Sequence, residues 1–227
     1  SHKSEADAAD TVGWSYFGAT VLSPDFSTAS ASLLCDDLIS EYGEDTFRRV
    51  DANEDWGPGS EYCMYAFANV SYNTASIDRN TLYVSANYEL TDDIEFFAQT
   101  MFVQNSSFGR YAPPAAAWEN MAADNPHNPY GEDGAYGLFR WVGIGTRDGN
   151  VDDYNQDLTA GLRGDLDWNN ASWEVYYHHN KADNKSVGEY YLSYSGLAYN
   201  EANDIDLGSD EGIANMKSTT LQSSAST

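Results

Sequence analysis

Apolar and polar residues alternate along two consecutive stretches in the middle of the chain, 79–90 and 94–105. A period of two is typical of a β-strand that has one apolar and one polar face. Between the stretches, Thr91, Asp92 and Asp93 have the length and chemistry of a tight hairpin turn. The pattern therefore predicts a hairpin over 79–105 with these residues on its apolar parity: Leu82, Val84, Ala86, Tyr88 and Leu90, then Ile94, Phe96, Ala98 and Phe102.

The same alternation returns later in the chain and predicts a second hairpin over 152–182. Its first strand covers 152–167 and its return strand covers 172–180. The short polar connection between them contains Trp168, Asn169 and Asn170, which are suited to a tight turn. A further strand is predicted over 190–200.

The strands of the first hairpin are long. Each has roughly 11–13 residues, whereas a strand of a soluble protein has about 5–6. A strand that crosses a bilayer at a tilt needs about 9–11 residues. Two interpretations follow, the wall of an outer-membrane β-barrel and a long hairpin in a soluble sandwich. The barrel interpretation places one parity in lipid and the other inside: Leu82, Val84, Ala86 and Leu90 against Ser85, Asn87 and Glu89.

Two long connections, 23–77 and 107–151, separate these elements. Outer-membrane barrels alternate long outside loops with short periplasmic turns, so both connections are predicted to be long, mobile extracellular loops. Short helices are predicted in them near 30–39 and, after Pro113 and Pro114, over 115–123. The segment 138–146 has strand character and is interpreted as an extension within the second loop. The acidic and Ser/Thr-rich tail, 201–227, is predicted to be disordered.

The composition excludes one class of partner and supports two others. With 11 Lys+Arg against 36 Asp+Glu, the formal charge is −25. Phosphate binding needs clustered basic residues, so nucleic acid is excluded. The 17 Tyr and six Trp suit either membrane-interface girdles or sugar-binding surfaces. No apolar run is long enough for a transmembrane helix, which does not exclude a membrane barrel. The polar N-terminus shows no signal peptide and the chain stops on Ser-Ser-Ala-Ser-Thr without a closing aromatic strand, so we expect a fragment.

The two cysteines, Cys35 and Cys63, lie in polar, turn-rich sequence. A buried pair of free thiols is one interpretation. We favour a disulfide, which indicates an oxidising compartment or the cell exterior. Closing a loop of this size restricts the unfolded chain by about 3–4 kcal/mol.

The order of several loose motifs resembles the barrel region of TonB-dependent outer-membrane receptors of Gram-negative bacteria. The resemblance covers roughly residues 60–182, and its specificity comes from the order and spacing of the motifs. They are Tyr62-Cys63-Met64-Tyr65, Ile77-Asp78-Arg79 with the hairpin that follows, Phe108-Gly109-Arg110-Tyr111-Ala112-Pro113, Pro126-His127-Asn128-Pro129, Gly145-Thr146-Arg147, Gly161-Leu162-Arg163-Gly164-Asp165 and Trp173-Glu174.

The resemblance implies an all-β, antiparallel up-and-down fold that forms part of a transmembrane barrel of about 22 strands. It implies residence in the outer membrane, contact with lipid, and import of a siderophore, vitamin or oligosaccharide with TonB-coupled energy. Arg110, Trp118 and His127, in the long loops, are the candidate ligand-binding residues. The chain departs from the family by lacking a plug, a TonB-contacting segment and most of the strands. Contact with TonB is therefore expected only through the missing plug.

A second function class stays open, a secreted β-rich module that binds carbohydrate or another ligand without catalysis. No catalytic motif and no cofactor motif is visible, so we do not expect an enzyme. The stretches 51–55 and 148–152 offer oxygen ligands at alternate positions, as calcium loops do. Both lack the glycine and glutamate of an EF-hand, and a solvated acidic loop is the favoured interpretation. His178 and His179 point to opposite strand faces and cannot jointly bind a metal in a regular strand.

Overall fold

The structure, a computed structural model, describes residues 4–5, 13–166, 168 and 171–226. The fold is mostly β, all strand pairs are antiparallel, and the few helices are short. In chain order the strands are β1 (Ser4–Glu5), β2 (Trp14–Ser15), β3 (Ala19–Leu22), β4 (Ala29–Ala31), β5 (Phe47–Asp51), β6 (Glu61–Ala66), β7 (Tyr72–Thr74), β8 (Ser76–Thr91), β9 (Ile94–Tyr111), β10 (Ala115–Met121), β11 (Ala135–Arg140), β12 (Arg147–Leu166), β13 (Ala171–Leu192) and β14 (Lys217–Ser226).

In the part of the chain that the structure describes there are four short α-helices. They are α1 (Cys35–Tyr42), α2 (Asn53–Trp56), α3 (Tyr194–Ala202) and α4 (Asp210–Met216), with 3₁₀ turns at Phe67–Asn69 and Val142–Ile144. Within the same residues, no helix combines the length and the apolar character needed to cross a membrane.

Five strands form one open antiparallel sheet in the order β14-β13-β12-β9-β8, which we call the long sheet. Its four longest strands have 16, 18, 20 and 22 residues. Both predicted hairpins are confirmed, 79–105 within β8 and β9, and 152–182 within β12 and β13. The strands extend beyond the alternating stretches because their polar ends continue the same hydrogen-bonded ladder.

The short and the long connections of the long sheet lie at opposite ends of it. The short turn at 92–93 joins β8 to β9, and a second short connection joins β12 to β13 at the same end. Trp168 of that second connection is a turn residue, whereas Asn169 and Asn170 lie outside the described residues. All longer connections leave from the opposite end of the sheet.

Those longer connections fold together into what we call the globular unit, residues 13–74, 112–146 and 193–216. It contains a four-stranded sheet, β10-β11-β3-β4, and a three-stranded sheet, β2-β6-β5, while β7 pairs with β1. The prediction of mobile loops over 23–77 and 107–151 is therefore wrong in the structure. Its core buries side chains from every part of the unit: Ala19, Val21, Cys35, Phe47, Cys63, Tyr65, Trp118, Met121, Phe139, Ile144, Leu197 and Met216.

The helix predicted over 115–123 is instead strand β10. Ala115 lies opposite Arg140 and Trp118 lies opposite Gly137 of β11, so the segment belongs to the middle of the unit. The helical preference of three consecutive alanines is small per residue and is outweighed by strand pairing and burial. The segment 138–146, interpreted as a loop extension, likewise contributes residues to β11, which pairs with β3 in the core sheet.

The disulfide between Cys35 and Cys63 is confirmed, and both residues are fully buried. It joins the first residue of α1 to the middle of β6. The helix predicted near 30–39 exists but begins later, at Cys35, because the residues before it pair as strand β4.

The tail, 201–227, was predicted to be disordered, and the strand predicted over 190–200 was expected to precede it. In the structure the strand ends at Leu192, helices α3 and α4 follow, and β14 pairs with β13. Ser193 and Ser209 explain the change, because their hydroxyls accept hydrogen bonds from Gly196 N and Gly212 N and cap the two helices. Fully buried Asn200 then joins the helices through Gly212 O and Asn215 Nδ2.

Candidate functional site

The register of the long sheet sorts its side chains onto two different faces. Because the side-chain period of a strand is two, residues opposite one another across the ladder share a face. One face carries cross-strand rows of apolar side chains and is called the apolar face. Its rows are Leu82-Phe102-Gln156-Lys181, of which only the first two members are apolar, then Val84-Thr100-Leu158-His179, Ala86-Ala98-Ala160-Tyr177, Tyr88-Phe96-Leu162-Val175 and Ile94-Gly164-Trp173.

The apolar face is not covered by another part of the described chain. Val84 and Leu82 are 49% and 57% exposed, and Tyr88 and Tyr177 are 67% and 65% exposed. Large contiguous apolar surfaces on a soluble monomer are rare and mark an interface with protein or membrane.

The height of the apolar face is bounded by polar rows. Leu82 and Leu90 are its outermost apolar positions on β8, a span of nine residues or about 27 Å along the strand. Beyond Leu82, away from the short turns, the next two rows are polar: Asn80-Gln104-Tyr154-Asp183 and Asp78-Ser106-Asp152-Lys185. The apolar residues thus form a band of limited height and do not extend along the whole length of the face.

The opposite surface of the long sheet, the polar face, carries a network of hydrogen bonds across its strands. The side chains of this face that hydrogen-bond to a neighbouring strand are Arg79, Glu95, Gln99, Asn105, Asp153, Asn155, Asp157, Arg163, His178, Asn180 and Asn184, and Ser85, Asn87 and Thr159 lie on the same face. His178 Nε2 lies 2.7 Å from Asp157 Oδ2, and Arg163 Nη2 lies 2.8 Å from Glu95 Oε1. Most of the polar side chains of this face have a hydrogen-bond partner on a neighbouring strand, so the polar face is suited to contact with water.

Apolar side chains also lie on the polar face: Ile77, Tyr83, Phe97, Met101, Val103, Val151 and Tyr176. The Arg163 guanidinium lies 5.3 Å from the centre of the Phe97 ring, a cation–π arrangement. A side chain at Gly161 would collide with Tyr176, so the glycine is needed for close packing there. The two faces therefore differ in character without being perfectly segregated.

Arg110, a predicted ligand-binding residue, lies near the end of β9 in the long sheet. Its guanidinium donates two hydrogen bonds to Asp148 on the neighbouring strand, Nε to Oδ1 at 2.8 Å and Nη2 to Oδ2 at 2.7 Å. Thr146 Oγ1 also donates to the Asp148 carboxylate, which is almost completely buried. This geometry gives Arg110 a role in holding β9 to β12, and its contact with a ligand stays a prediction.

Trp118 and His127, the other two predicted ligand-binding residues, are neighbours in the globular unit. Their rings lie 6.1 Å apart, and Trp118 Nε1 donates to Glu201 of α3. Trp118 is only 5% exposed, which leaves little surface for a ligand. Burial lowers the pKa of His127, an effect that Asp206 opposes. The structure thus brings two of the three together, and places Arg110 in a different part of the fold.

The acidic stretch at 51–55 is accounted for by its own hydrogen bonds. Asp51 Oδ1 accepts from Asn53 N, Asn53 Oδ1 accepts from Gly59 N, and Asp55 Oδ2 accepts from the Tyr62 hydroxyl. Asp148 of the second stretch binds Arg110, as described above. Over the described residues, no three His, Cys, Asp or Glu side chains converge as metal ligands.

Sequence reasoning missed the partners that come from the tail. Glu201 and Asp206 are 83 and 79 positions from the residues they influence, and no local pattern connects them. No protein-family model, curated protein or solved structure matches the chain. The functional argument therefore depends on the geometry of the two sheet faces and of the globular unit.

Proposed function

We propose that the chain forms part of the wall of an outer-membrane β-barrel and carries a ligand-binding unit on the outside of that membrane. In this role it belongs to an active-transport receptor that imports a scarce nutrient. The single observation that carries the proposal is the exposed apolar face of the long sheet. A protein that folds in water buries such side chains, whereas lipid is a solvent in which they are stable.

The dimensions of the apolar face support a bilayer as its partner. Barrel walls have an apolar band about 25 Å tall, and a tilted strand needs about 9–11 residues to cross it. The nine residues from Leu82 to Leu90 fit that requirement. The alternation of apolar and polar side chains along each strand also has the period expected of a wall between lipid and a polar interior.

The polar face supports the same arrangement from the other side. Amide and charged groups of this face are paired across β8, β9, β12 and β13, and they are suited to a water-filled or plugged interior. The free edges of β8 and β14 would pair with further strands of the barrel, since closure is how membrane sheets satisfy their edges.

The position of the globular unit supports its assignment to the outside. Outer-membrane barrels have short turns at the periplasmic end and long segments at the extracellular end. Here the short turns lie at one end of the long sheet and the whole globular unit connects to the other. The disulfide between Cys35 and Cys63 in that unit suits an oxidising environment.

Coupling to TonB is the least direct part of the proposal. It rests on the resemblance of the motifs between residues 60 and 182 to TonB-dependent receptors. In such a receptor the energy reaches the barrel through a plug, so this chain would act together with one.

A secreted binding module is the second candidate function, and the globular unit is the observation that favours it. That unit has its own buried core and its own disulfide. A module of this kind would need another partner to cover the apolar face.

Membrane integration of the 227-residue chain separates the two functions. The chain is refolded with phospholipid vesicles, which are then floated through a density gradient after a wash in alkaline carbonate. We expect the chain to float and to resist the wash, because a wall strand is integrated in the lipid. A chain that stays at the bottom of the gradient as a folded monomer would contradict the membrane proposal and favour the secreted module.

A further inference from the structure

Six aromatic side chains gather on one side of the globular unit, and we call them the aromatic shelf: Tyr16, Phe17, Phe26, Trp56, Tyr62 and Tyr136. Tyr16 lies 5.6 Å from Phe17 and 5.9 Å from Tyr62 between ring centres, and Phe26 lies 5.6 Å from Tyr136. Phe17, Trp56, Tyr62 and Tyr136 all pack against the same small apolar cluster of Leu22, Ala29 and Leu138. The rings thus form two groups, one around Tyr16 and Tyr62 and one of Phe26 and Tyr136, and both groups contain rings that pack against this cluster.

The shelf presents ring surface to solvent. Tyr16 and Phe26 are about half exposed, at 50% and 51%. The contacting rings are tilted by 31° to 50° rather than stacked face to face. The unit buries Phe47 completely but leaves these two rings half exposed, so the shelf has ring surface on which a ligand could pack.

Polar groups are fixed at both sides of the shelf. Trp56 Nε1 donates to the Tyr62 hydroxyl at 2.7 Å, and that hydroxyl donates to Asp55 Oδ2 at 2.8 Å. The Tyr136 hydroxyl donates to Glu119 Oε1 at 3.4 Å. Phenol and carboxylate oxygens thus border the apolar rings and retain further lone pairs for hydroxyl donors.

We propose that the aromatic shelf binds an uncharged oligosaccharide. The inference rests on the proposed function in one respect, since it names the class of nutrient that the outside unit would recognise. Sugar rings offer an apolar C–H face that packs on aromatic side chains, and hydroxyls at their edges that donate to carboxylates. The tilted rings would contact successive sugar units, while Asp55 and Glu119 would fix the hydroxyls.

The charges around the shelf argue against an anionic ligand. Both groups that accept hydrogen bonds from its phenols are carboxylates, and the whole chain has a formal charge of −25. Arg48 lies on the same face of the three-stranded sheet as Tyr62, but its guanidinium is stacked 3.9 Å above the Trp14 ring. A sulfated or phosphorylated ligand would meet repulsion without a guanidinium at the rings.

The arrangement of the rings argues against an organic cation. Sites for quaternary ammonium groups enclose the cation in a cage of aromatic faces. Here four of the rings pack against Leu22, Ala29 and Leu138 and do not surround a space between them. The shelf is thus an open platform, which suits a flat, extended chain of sugars.

The test measures binding of four neutral probes to the 227-residue chain in detergent: maltohexaose, cellohexaose, laminarihexaose and xylohexaose. Titration is followed by calorimetry and by tryptophan fluorescence, to which Trp56 contributes. We expect at least one probe to bind. Tyr16→Ala and Phe26→Ala should each weaken that binding by about tenfold, because each removes one exposed stacking surface.

Tyr111→Ala is the matched control, since Tyr111 is 60% exposed but belongs to the long sheet. It should leave binding unchanged, and circular dichroism should show that all three variants keep the fold. Failure of all four probes to bind would overturn the proposal. Equal weakening by Tyr111→Ala, or tighter binding of dextran sulfate or of deacetylated chitohexaose, would also overturn it.

The outcome is separable from that of the membrane proposal. Sugar binding is measured at the globular unit, whereas vesicle flotation depends on the long sheet. If the chain binds a hexaose but does not float, the sugar site is supported and belongs to a secreted module. If the chain floats but binds none of the four probes, the membrane proposal is supported and the aromatic shelf is not a sugar site.

Discussion

The two parts of this molecule treat their apolar residues in opposite ways. In the globular unit Phe47, Val21 and Met216 are at most 1% exposed, and the disulfide lies among them. In the long sheet Leu82, Val84 and other apolar residues lie in regular rows and are about half exposed. Burial of apolar side chains is favourable in water, whereas their exposure in regular rows is unfavourable there. On the function proposed above, this difference arises because the unit folds in water and the sheet folds in lipid.

The largest effect is expected from emptying the core of the globular unit. Phe47 is fully buried and its ring packs 5.0 Å from that of Tyr65, so Phe47→Ala leaves a cavity. We expect a loss of about 3–5 kcal/mol in the free energy of unfolding of the unit. Urea denaturation followed by near-ultraviolet circular dichroism measures it.

Phe26→Ala is the control for this cavity, since it removes the same side chain from a half-exposed position. It should change the unfolding free energy by much less. Similar losses for both variants would remove the distinction between the buried core and the exposed shelf.

A smaller effect is expected in the long sheet, and it should depend on parity. Val84 lies on the apolar face, and Val84→Arg should destabilise the vesicle-integrated chain by about 2–4 kcal/mol if it sits near the bilayer midplane. Ser85→Arg, one residue further on the polar face, should cost far less. Refolding into vesicles at graded urea concentrations gives both values, and equal losses would contradict the assignment of the faces.

The smallest effect concerns pH and the globular unit alone. Burial lowers the pKa of His127, so the unfolded chain binds this proton more readily than the folded chain. The contribution of neutral His127 to stability is therefore complete above the unfolded pKa of about 6.5 and is lost as the pH falls below it. The loss levels off once the pH is below the lowered pKa of the folded state.

We expect His127→Gln to flatten this part of the stability profile between about pH 7 and 5. Thermal unfolding at a series of pH values, with the wild-type chain alongside, provides the measurement. A variant that keeps the full slope would show that other groups cause it.

The long sheet could be predicted from sequence because its signal is local. A period of two over 79–90 and 94–105, with two aspartates between, is enough to predict a hairpin and to assign its faces. The disulfide could also be predicted from the sequence, since only two cysteines are present. The alternation does not by itself show that the strands lie in a membrane. That location remains a proposal, which the exposed apolar face supports.

The globular unit could not be predicted because its strands are short and pair across long distances. Val21 of β3 lies opposite Gly137 of β11, and Tyr65 of β6 lies opposite Ser15 of β2. Strands of two to seven residues carry almost no periodic signal of their own. The alanines after Pro114 then indicated a helix, where long-range pairing produced a strand.

The tail was mispredicted for a related reason. Strand β14 is rich in Ser and Thr and has no apolar alternation, because it is an edge strand that is paired along one side only. Its register with β13, with Leu221 opposite Val187, is set by its neighbour rather than by its own composition. Likewise Trp118 could be recognised as notable from sequence, but its partner Glu201 could not.

The contact of alternate residues with lipid is the measurement that tests the central claim most directly. Single cysteines at positions 82 to 87 are labelled with an environment-sensitive fluorophore in the oxidised, vesicle-integrated chain, and quenching by doxyl-labelled lipid is recorded at each position. The account predicts strong quenching at 82, 84 and 86 and weak quenching at 83, 85 and 87. Uniform quenching along the six positions, or none at any of them, would contradict a wall with one face in lipid.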